Sequence, residues 1–325
     1  MSFASFLIGV FLLLPTNTAV AQSSTAKVNV GFPSMSVGQM PSFIADVNGY
    51  WRAEGLSPDM ILMRSGVAVQ ALVGGSVDFV THMGSSIEAA VRGPKLKVLL
   101  VAADRPTYNL VAHPSIRSFN DLKGKKVGVA ILGDVTDAMT RVMLKKNGLD
   151  PGKDVAILAI GTTGVRVSAL KGAAIQATIL PPPQSFLAIK DGLVDLGHSG
   201  DYVESLSGGV VTGQDQLSKK PELVTKFVRA YLKAHLFFLS KREESVKIMM
   251  ERLSIPNREV AAQIYESYRR TQTPEGTISE DLMQRVIEER RQLAGISQPI
   301  NANVIFDFST VRRVMSELKA TGWRP

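Results

Sequence analysis

The sequence predicts an α/β protein built from two similar α/β domains with a helical C-terminal tail. Three observations predict it. Short apolar runs of strand character alternate with amphipathic stretches from Lys27 to Gly192. This alternation comes twice, the second pass matching the first at an offset of 93 to 99 residues. After Tyr202 strand character stops and helical periodicity takes over.

In the first pass, "KVNVGF" (Lys27–Phe32) alternates and opens as a strand. "PSFIADVNGYWRAEG" (Pro41–Gly55) reads as one amphipathic helix stopped by Gly55. "DMILMR" (Asp59–Arg64) is the second strand, "GVAVQALVGG" a short helix and "VDFVTH" (Val77–His82) the third strand. "SSIEAAVRG" is a helix capped by Ser85 or Ser86 and ended by Gly93, and "KVLLVAA" is the fourth strand. The order βαβαβαβ predicts a mostly parallel sheet covered by helices.

The second pass runs "KKVGVAI" (strand), "DVTDAMTRVMLKKNG" (helix), "DVAILAI" (strand), "GVRVSALKG" (helix), "IQATIL" (strand) and "QSFLAIKDG" (helix). Its first helix has an acidic start, a Lys-rich last turn and a closing Gly, as the helix dipole favours. "GLSP" pairs with "GLDP", and "QALVGG" with "SALKGA". Two such units can share one sheet or form two domains; the linker "RPTYNLVAHPSIRSFNDLKG" between them favours two. In the tail, "PELVTKFVRAYLKAHLFFL" is an amphipathic helix with Pro221 in its first turn, and four more helical stretches follow.

Of the 325 residues 45% are hydrophobic and 20% charged, an ordinary globular composition. The formal charge of +8 is scattered and forms no basic stripe interleaved with aromatics, which speaks against a nucleic-acid partner. Residues 1–21 read as an export signal: "FLIGVFLLL" is too short to span a bilayer comfortably, and Ala19 and Ala21 suit cleavage near Ala21. The stretch "MSFAS" before it lacks the usual basic residue, and a membrane anchor is the rival reading. With no cysteine there is no disulfide, no thiolate metal site, no Cys nucleophile and no lipid anchor, so a periplasmic location is expected.

Nucleotide and hydrolase motifs are missing. There is no Walker A sequence, "GVAILG" lacks the middle glycine of a dinucleotide fingerprint, and "GHSGD" is not a nucleophile elbow. The four histidines are isolated, so neither a metal nor a cofactor is expected. Open α/β sheets bind ligands at the carboxyl ends of their strands. The loops there carry small residues that let a ligand approach the backbone: Ser34, Ser36, Gly66, Gly84, Ser85, Ser86, Gly133, Thr136, Gly161 and Thr162. Taken singly, each also suits a helix cap or turn.

The segments "FIADVNGYWRAEGL", "QALVGGSVDFVTHMGSS", "SIRSFNDLKGKKVGV", "LKKNGLDPGKDV" and "KKPELVTKFVRAYLKA" resemble the solute-binding proteins of ABC importers in the nitrate, sulfonate and taurine group, which includes thiamine-pyrimidine-precursor proteins. The resemblance spans nearly the whole chain from Lys27. It implies a type II periplasmic binding protein fold, two α/β domains joined by two crossover segments that close on a ligand. The first domain would comprise residues 27–105 plus 200–325, the tail completing it, and the second residues 106–199. By position, the ligand loops would supply Ser34, Met35, Gln39, Gly66, Gly84, Ser85 and Ser86 from one domain, and Gly133, Asp134, Thr136, Gly161, Thr162 and Pro182 from the other. The implied partners are a small organic solute and an ABC permease with its ATPase, served by a monomer. A ligand sensor that does not transport, or an enzyme on the same fold resembling a pyrimidine synthase or a desulfinase, is the alternative. The pyrimidine synthases that resemble this group use a Cys-rich motif, which this chain lacks.

Two features qualify the expected ligand. Asp134 and Asp137 place carboxylates at the start of the second domain's main helix; there they cap it, or, facing the cleft, they would disfavour an anion. Pro181, Pro182 and Pro183 follow a strand where the first unit has Met83, Gly84 and Ser85. Proline has no N–H to donate, so this lip should be stiff and apolar and suit an apolar or aromatic part of the ligand.

Overall fold

The computed structural model describes residues 25–325, so the export signal expected over residues 1–21 lies outside the described residues. The first unit runs β1 (Ala26–Phe32), a 3-10 turn (Val37–Gln39), α1 (Met40–Val47), α2 (Tyr50–Ala53), β2 (Leu56–Leu62), α3 (Ser65–Val73), β3 (Phe79–His82), α4 (Gly84–Val91) and β4 (Leu96–Val101). The second runs β5 (Asn109–Ala112), β6 (Lys126–Val129), α5 (Val135–Lys146), β7 (Ala156–Ala159), α6 (Thr163–Lys171), β8 (Ala177–Leu180), α7 (Gln184–Lys190) and β9 (Val194–His198). The chain then adds β10 (Gly208–Gly213), α8 (Gln214–Lys219), α9 (Pro221–Ser240), α10 (Arg242–Leu253), α11 (Arg258–Arg269), α12 (Glu280–Leu293) and α13 (Ser309–Ala320).

These strands form two five-stranded sheets, ordered β2-β1-β3-β10-β4 and β7-β6-β8-β5-β9. The orders correspond position by position, as the sequence repeat requires. Each sheet also takes in a strand laid down just after the chain crosses from the other: β5 after Ala102–Tyr108, β10 after Ser199–Ser207. Both inserted strands are antiparallel to their two neighbours. The mostly parallel sheet expected from the element order is therefore a mixed one.

Three local departures have simple causes. The helix expected over Pro41–Gly55 is broken in two by Gly49, whose φ of +70° only glycine adopts cheaply. β2 starts at Leu56 and contains Pro58, which is tolerated because β2 lies at a sheet edge. α4 starts at Gly84, with Met83 at the cap position and no side-chain cap, so neither Ser85 nor Ser86 caps it.

One hydrophobic core joins the first sheet to the tail, uniting Val28, Phe79 and Leu99 with Phe227, Tyr265 and Val311. The second sheet is buried on both faces, Leu110 and Ile179 on one and Val111 and Leu180 on the other. The two lobes also meet away from the connectors: Phe186 of α7 packs on the first lobe's core, and Lys190 lies 3.8 Å from Glu259 of α11.

Candidate ligand-binding cleft

A cleft of about 650 Å³ opens between the lobes. Its first-lobe wall comes from the loop after β1 (Pro33, Ser34, Ser36), the following turn with Gln39, and the end of β3 with the start of α4 (His82, Gly84, Ser85, Glu88). The second lobe adds Val135, Met139, Pro181 and Pro182. Both connectors reach it, through Pro106–Tyr108 and Ser205–Ser207, and the tail contributes Tyr268 and Arg290.

Of the residues expected from sequence, Ser34, Gln39, Gly84, Ser85 and Pro182 come together here. The others do not line it. Met35 sits between two lining residues, Ser34 and Ser36, but is itself 53% exposed and not part of the wall. Gly66 lies exposed near the start of α3. Ser86 is buried and donates its hydroxyl to the His82 carbonyl at 3.0 Å. Gly133 donates its N–H to Asp137 Oδ2 at 2.8 Å. Thr136 is buried, accepting from the Ala130 N–H at 2.9 Å. The Gly161 carbonyl accepts from the buried Arg166 guanidinium at 3.3 Å, and Thr162 stands exposed at the start of α6.

Asp134 is a helix cap. Its Oδ1 accepts the N–H groups of Thr136 and Asp137 at 2.8 and 3.1 Å and the Thr136 hydroxyl at 2.6 Å. Asp137 pairs with Arg141 at 2.8 Å. Neither carboxylate lines the cleft, although the Asp134 charge is felt at Tyr108, which does.

The two walls differ chemically. The second-lobe wall is hydrocarbon, from Val135, Met139, Pro181 and Pro182. The first-lobe wall is polar. The first N–H groups of α4 have no side-chain cap. The Gln39 Oε1 accepts from Thr81 at 2.6 Å, and the His82 Nε2 lies 2.6 Å from the Ser85 hydroxyl. Burial lowers the His82 pKa to about 4, so its ring is neutral near pH 7. The Tyr268 hydroxyl is buried with no hydrogen bond of ordinary geometry among the described residues, and burial raises its pKa to about 12 against a smaller opposing pull from the Gln272 side chain. Arg290 makes no ion pair among the described residues, whereas Glu88 pairs with Arg92 at 3.4 Å.

Sequence reasoning passed over His82, Tyr268 and Arg290. His82 adjoins the expected Gly84–Ser86 loop, and its place at the end of a strand was the available signal. Tyr268 and Arg290 reach the cleft only because the tail folds back over the first sheet, which no local pattern announces. Among the described residues no cluster of His, Asp and Glu could hold a metal, and no helix is long and apolar enough to cross a membrane.

The NMT1/THI5-like family model matches residues 37–245, more than half the chain. The chain belongs to the NMT1/THI5-like family. A Brucella abortus relative, named in no more specific terms than as a binding protein, is 27% identical over 243 residues, covering 73% of this chain and 75% of its own. The fold is that of periplasmic binding proteins. The sulfonate transporter's periplasmic protein SsuA from Methylobacillus flagellatus superposes with a TM-score of 0.72 at 17% identity, covering 92% of this chain and 97% of that one. The periplasmic nitrate-binding protein NrtA from Synechocystis gives 0.67 at 15%, covering 90% and 89%.

Proposed function

We propose that this NMT1/THI5-like protein is an exported, monomeric solute receptor that captures a small organic molecule and hands it to an ABC permease and its ATPase. Residues 27–105 with 200–325 and residues 106–199 act as two domains hinged at the connectors. The observation that carries this reading is the cleft itself. It has the volume of a small-molecule site, and it lies where two chain crossings let two lobes close. Its walls also divide the ligand's chemistry, with hydrogen-bonding groups on one side and proline, valine and methionine carbon on the other. The ligand accordingly has a polar head and an apolar or aromatic body.

The reading involves no turnover. His82 and Ser85 are paired like a base and a nucleophile, but His82 is held as a very weak base and its Nδ1 has no carboxylate or other partner among the described residues. Native mass spectrometry of the purified protein should find one carried-over small molecule per chain, and scattering should record compaction when it is present. Ser85→Trp should fold and lose that molecule. Binding without compaction, or conversion of the molecule, would count against the proposal.

A further inference from the structure

Behind the polar wall, two successive residues of β3 each hold one atom of a cleft-lining side chain. Thr81 is fully buried, with its hydroxyl 2.6 Å from Gln39 Oε1 and no other hydrogen-bond partner among the described residues. Were the hydroxyl to accept from the Gln39 amide instead, its own proton would be buried without an acceptor. The hydroxyl therefore donates, Oε1 accepts, and the Gln39 NH2 is left for the cleft that Gln39 lines.

His82 repeats the arrangement. Its Nε2 lies 2.6 Å from Ser85 Oγ, and its Nδ1 is buried with no partner among the described residues. A neutral imidazole carries one proton. On Nδ1 that proton would be an orphaned buried donor, a rarer arrangement than an orphaned acceptor. On Nε2 it bonds Ser85 Oγ, and the serine's own O–H is free to point at the ligand.

We infer that Thr81 and His82 are positioning residues that fix the hydrogen-bond polarity of the cleft, so that the first lobe offers the ligand donors. Gln39 presents N–H, Ser85 presents O–H, and the uncapped first turn of α4 presents backbone N–H. Tyr268 and Arg290, which also carry donors, line the same cleft. Among the described residues Glu88 is the one carboxylate lining the cleft, and Arg92 pairs with it. The head of the ligand is then a hydrogen-bond acceptor that brings no proton, such as a carboxylate or another oxyanion. An ammonium head would meet no acceptor at Gln39 and only the second lone pair of the Ser85 oxygen. This ligand class rests on the receptor reading above, but the polarity is a property of the protein alone.

Two measurements test it. Long-range proton–nitrogen spectra of histidine-labelled, unliganded protein near pH 7, with the His82 signals identified by their loss in His82→Gln, should show the Nε2–H tautomer. An Nδ1–H tautomer overturns the inference, because Ser85 would then donate inward. Calorimetry should also show benzoate binding at least about tenfold more tightly than benzylamine, and Thr81→Val, which lets the Gln39 amide turn, weakening benzoate about tenfold. Preference for benzylamine overturns it too. If neither probe binds but the Nε2–H tautomer is present, the polarity stands and the aromatic-bodied ligand proposed above falls. If Thr81→Val does not fold, the tautomer decides.

Discussion

Phe227 of α9 stacks face to face on Phe79 of β3, with ring centroids 3.9 Å apart and planes 5° from parallel. The contact ties the helical tail to the strand that ends in Thr81 and His82. Trp51 stacks on the other side of the arrangement, 4.8 Å from Phe227. All three rings are buried. Phe227→Ala should destabilise the protein by about 4 kcal/mol, through lost apolar burial and the cavity left among rings that cannot collapse onto one another. Urea unfolding monitored by tryptophan fluorescence reads this directly. A loss below about 1 kcal/mol would mean that the tail is not integral to the first lobe's core.

Gly209 of β10 is closely hemmed in by the neighbouring strand. A Cβ there would lie 2.1 Å from the Leu100 carbonyl oxygen and 2.5 Å from the Met83 methyl, at a φ of +154°. The methionine end can move, but the strand carbonyl cannot without breaking the β10–β4 ladder. Gly209→Ala should therefore cost about 3 kcal/mol or more, seen as a lowered urea midpoint with an unchanged slope. Gly213→Ala, in the same strand with open space at its Cβ position, is the control and should stay within about 0.5 kcal/mol.

How the sheets are built was half legible. The repeat predicted which strands correspond, and β1 and β6, β2 and β7, β3 and β8 indeed hold equivalent places. The inserted strands were not legible as strands at all: β5 lies inside the expected linker, and β10 lies beyond Tyr202, where strand character is expected to stop. Asn109–Ala112 is buried at every residue, so it shows no alternation, and its direction is set by a crossover rather than by a local pattern. The cleft divides the same way. Ser34, Gln39, Gly84, Ser85 and Pro182 follow strand ends, where ligand loops are expected. Tyr268 falls on the apolar face of α11 and Arg290 in the basic last turn of α12, and helix physics accounts for both without a ligand.

Acid should unfold this protein more readily than its carboxylates alone would suggest. Burial lowers the pKa of His82, His198 and His235 to about 4 from 6.5. Between those values the unfolded chain binds protons that the folded chain refuses, so stability is whole near pH 7 and falls as the pH drops toward 4. For the fully buried His235 the loss is about 3 kcal/mol. Its Nε2 bonds the Thr273 carbonyl at 2.6 Å, and protonation would put an unpartnered N–H on Nδ1. Urea titrations at about pH 7, 5.5 and 4.5 should show the decline, and His235→Gln, which keeps a donor for Thr273, should make it shallower, leaving the share of His82 and His198. A stability that stays level over this range would contradict the burial of these rings.

The Tyr268 hydroxyl separates stability from binding. The residue lines the cleft, while its hydroxyl is buried near Gly208, Gly38 and the Gln272 side chain, with no hydrogen-bond partner of ordinary geometry among the described residues. A hydroxyl that serves folding loses a bond when removed, whereas one held unpaired relieves a desolvation cost. Tyr268→Phe should therefore leave stability unchanged or raise it by up to about 1 kcal/mol, with the ring packing on Phe238 intact at 5.6 Å between centroids. The same substitution should weaken the solute carried through purification about tenfold, because the donor meant for it is gone. Urea unfolding and competitive binding on one preparation give both numbers. A drop in stability of more than about 1 kcal/mol would show that the hydroxyl has a structural partner, and unchanged affinity would take Tyr268 out of the ligand's contacts.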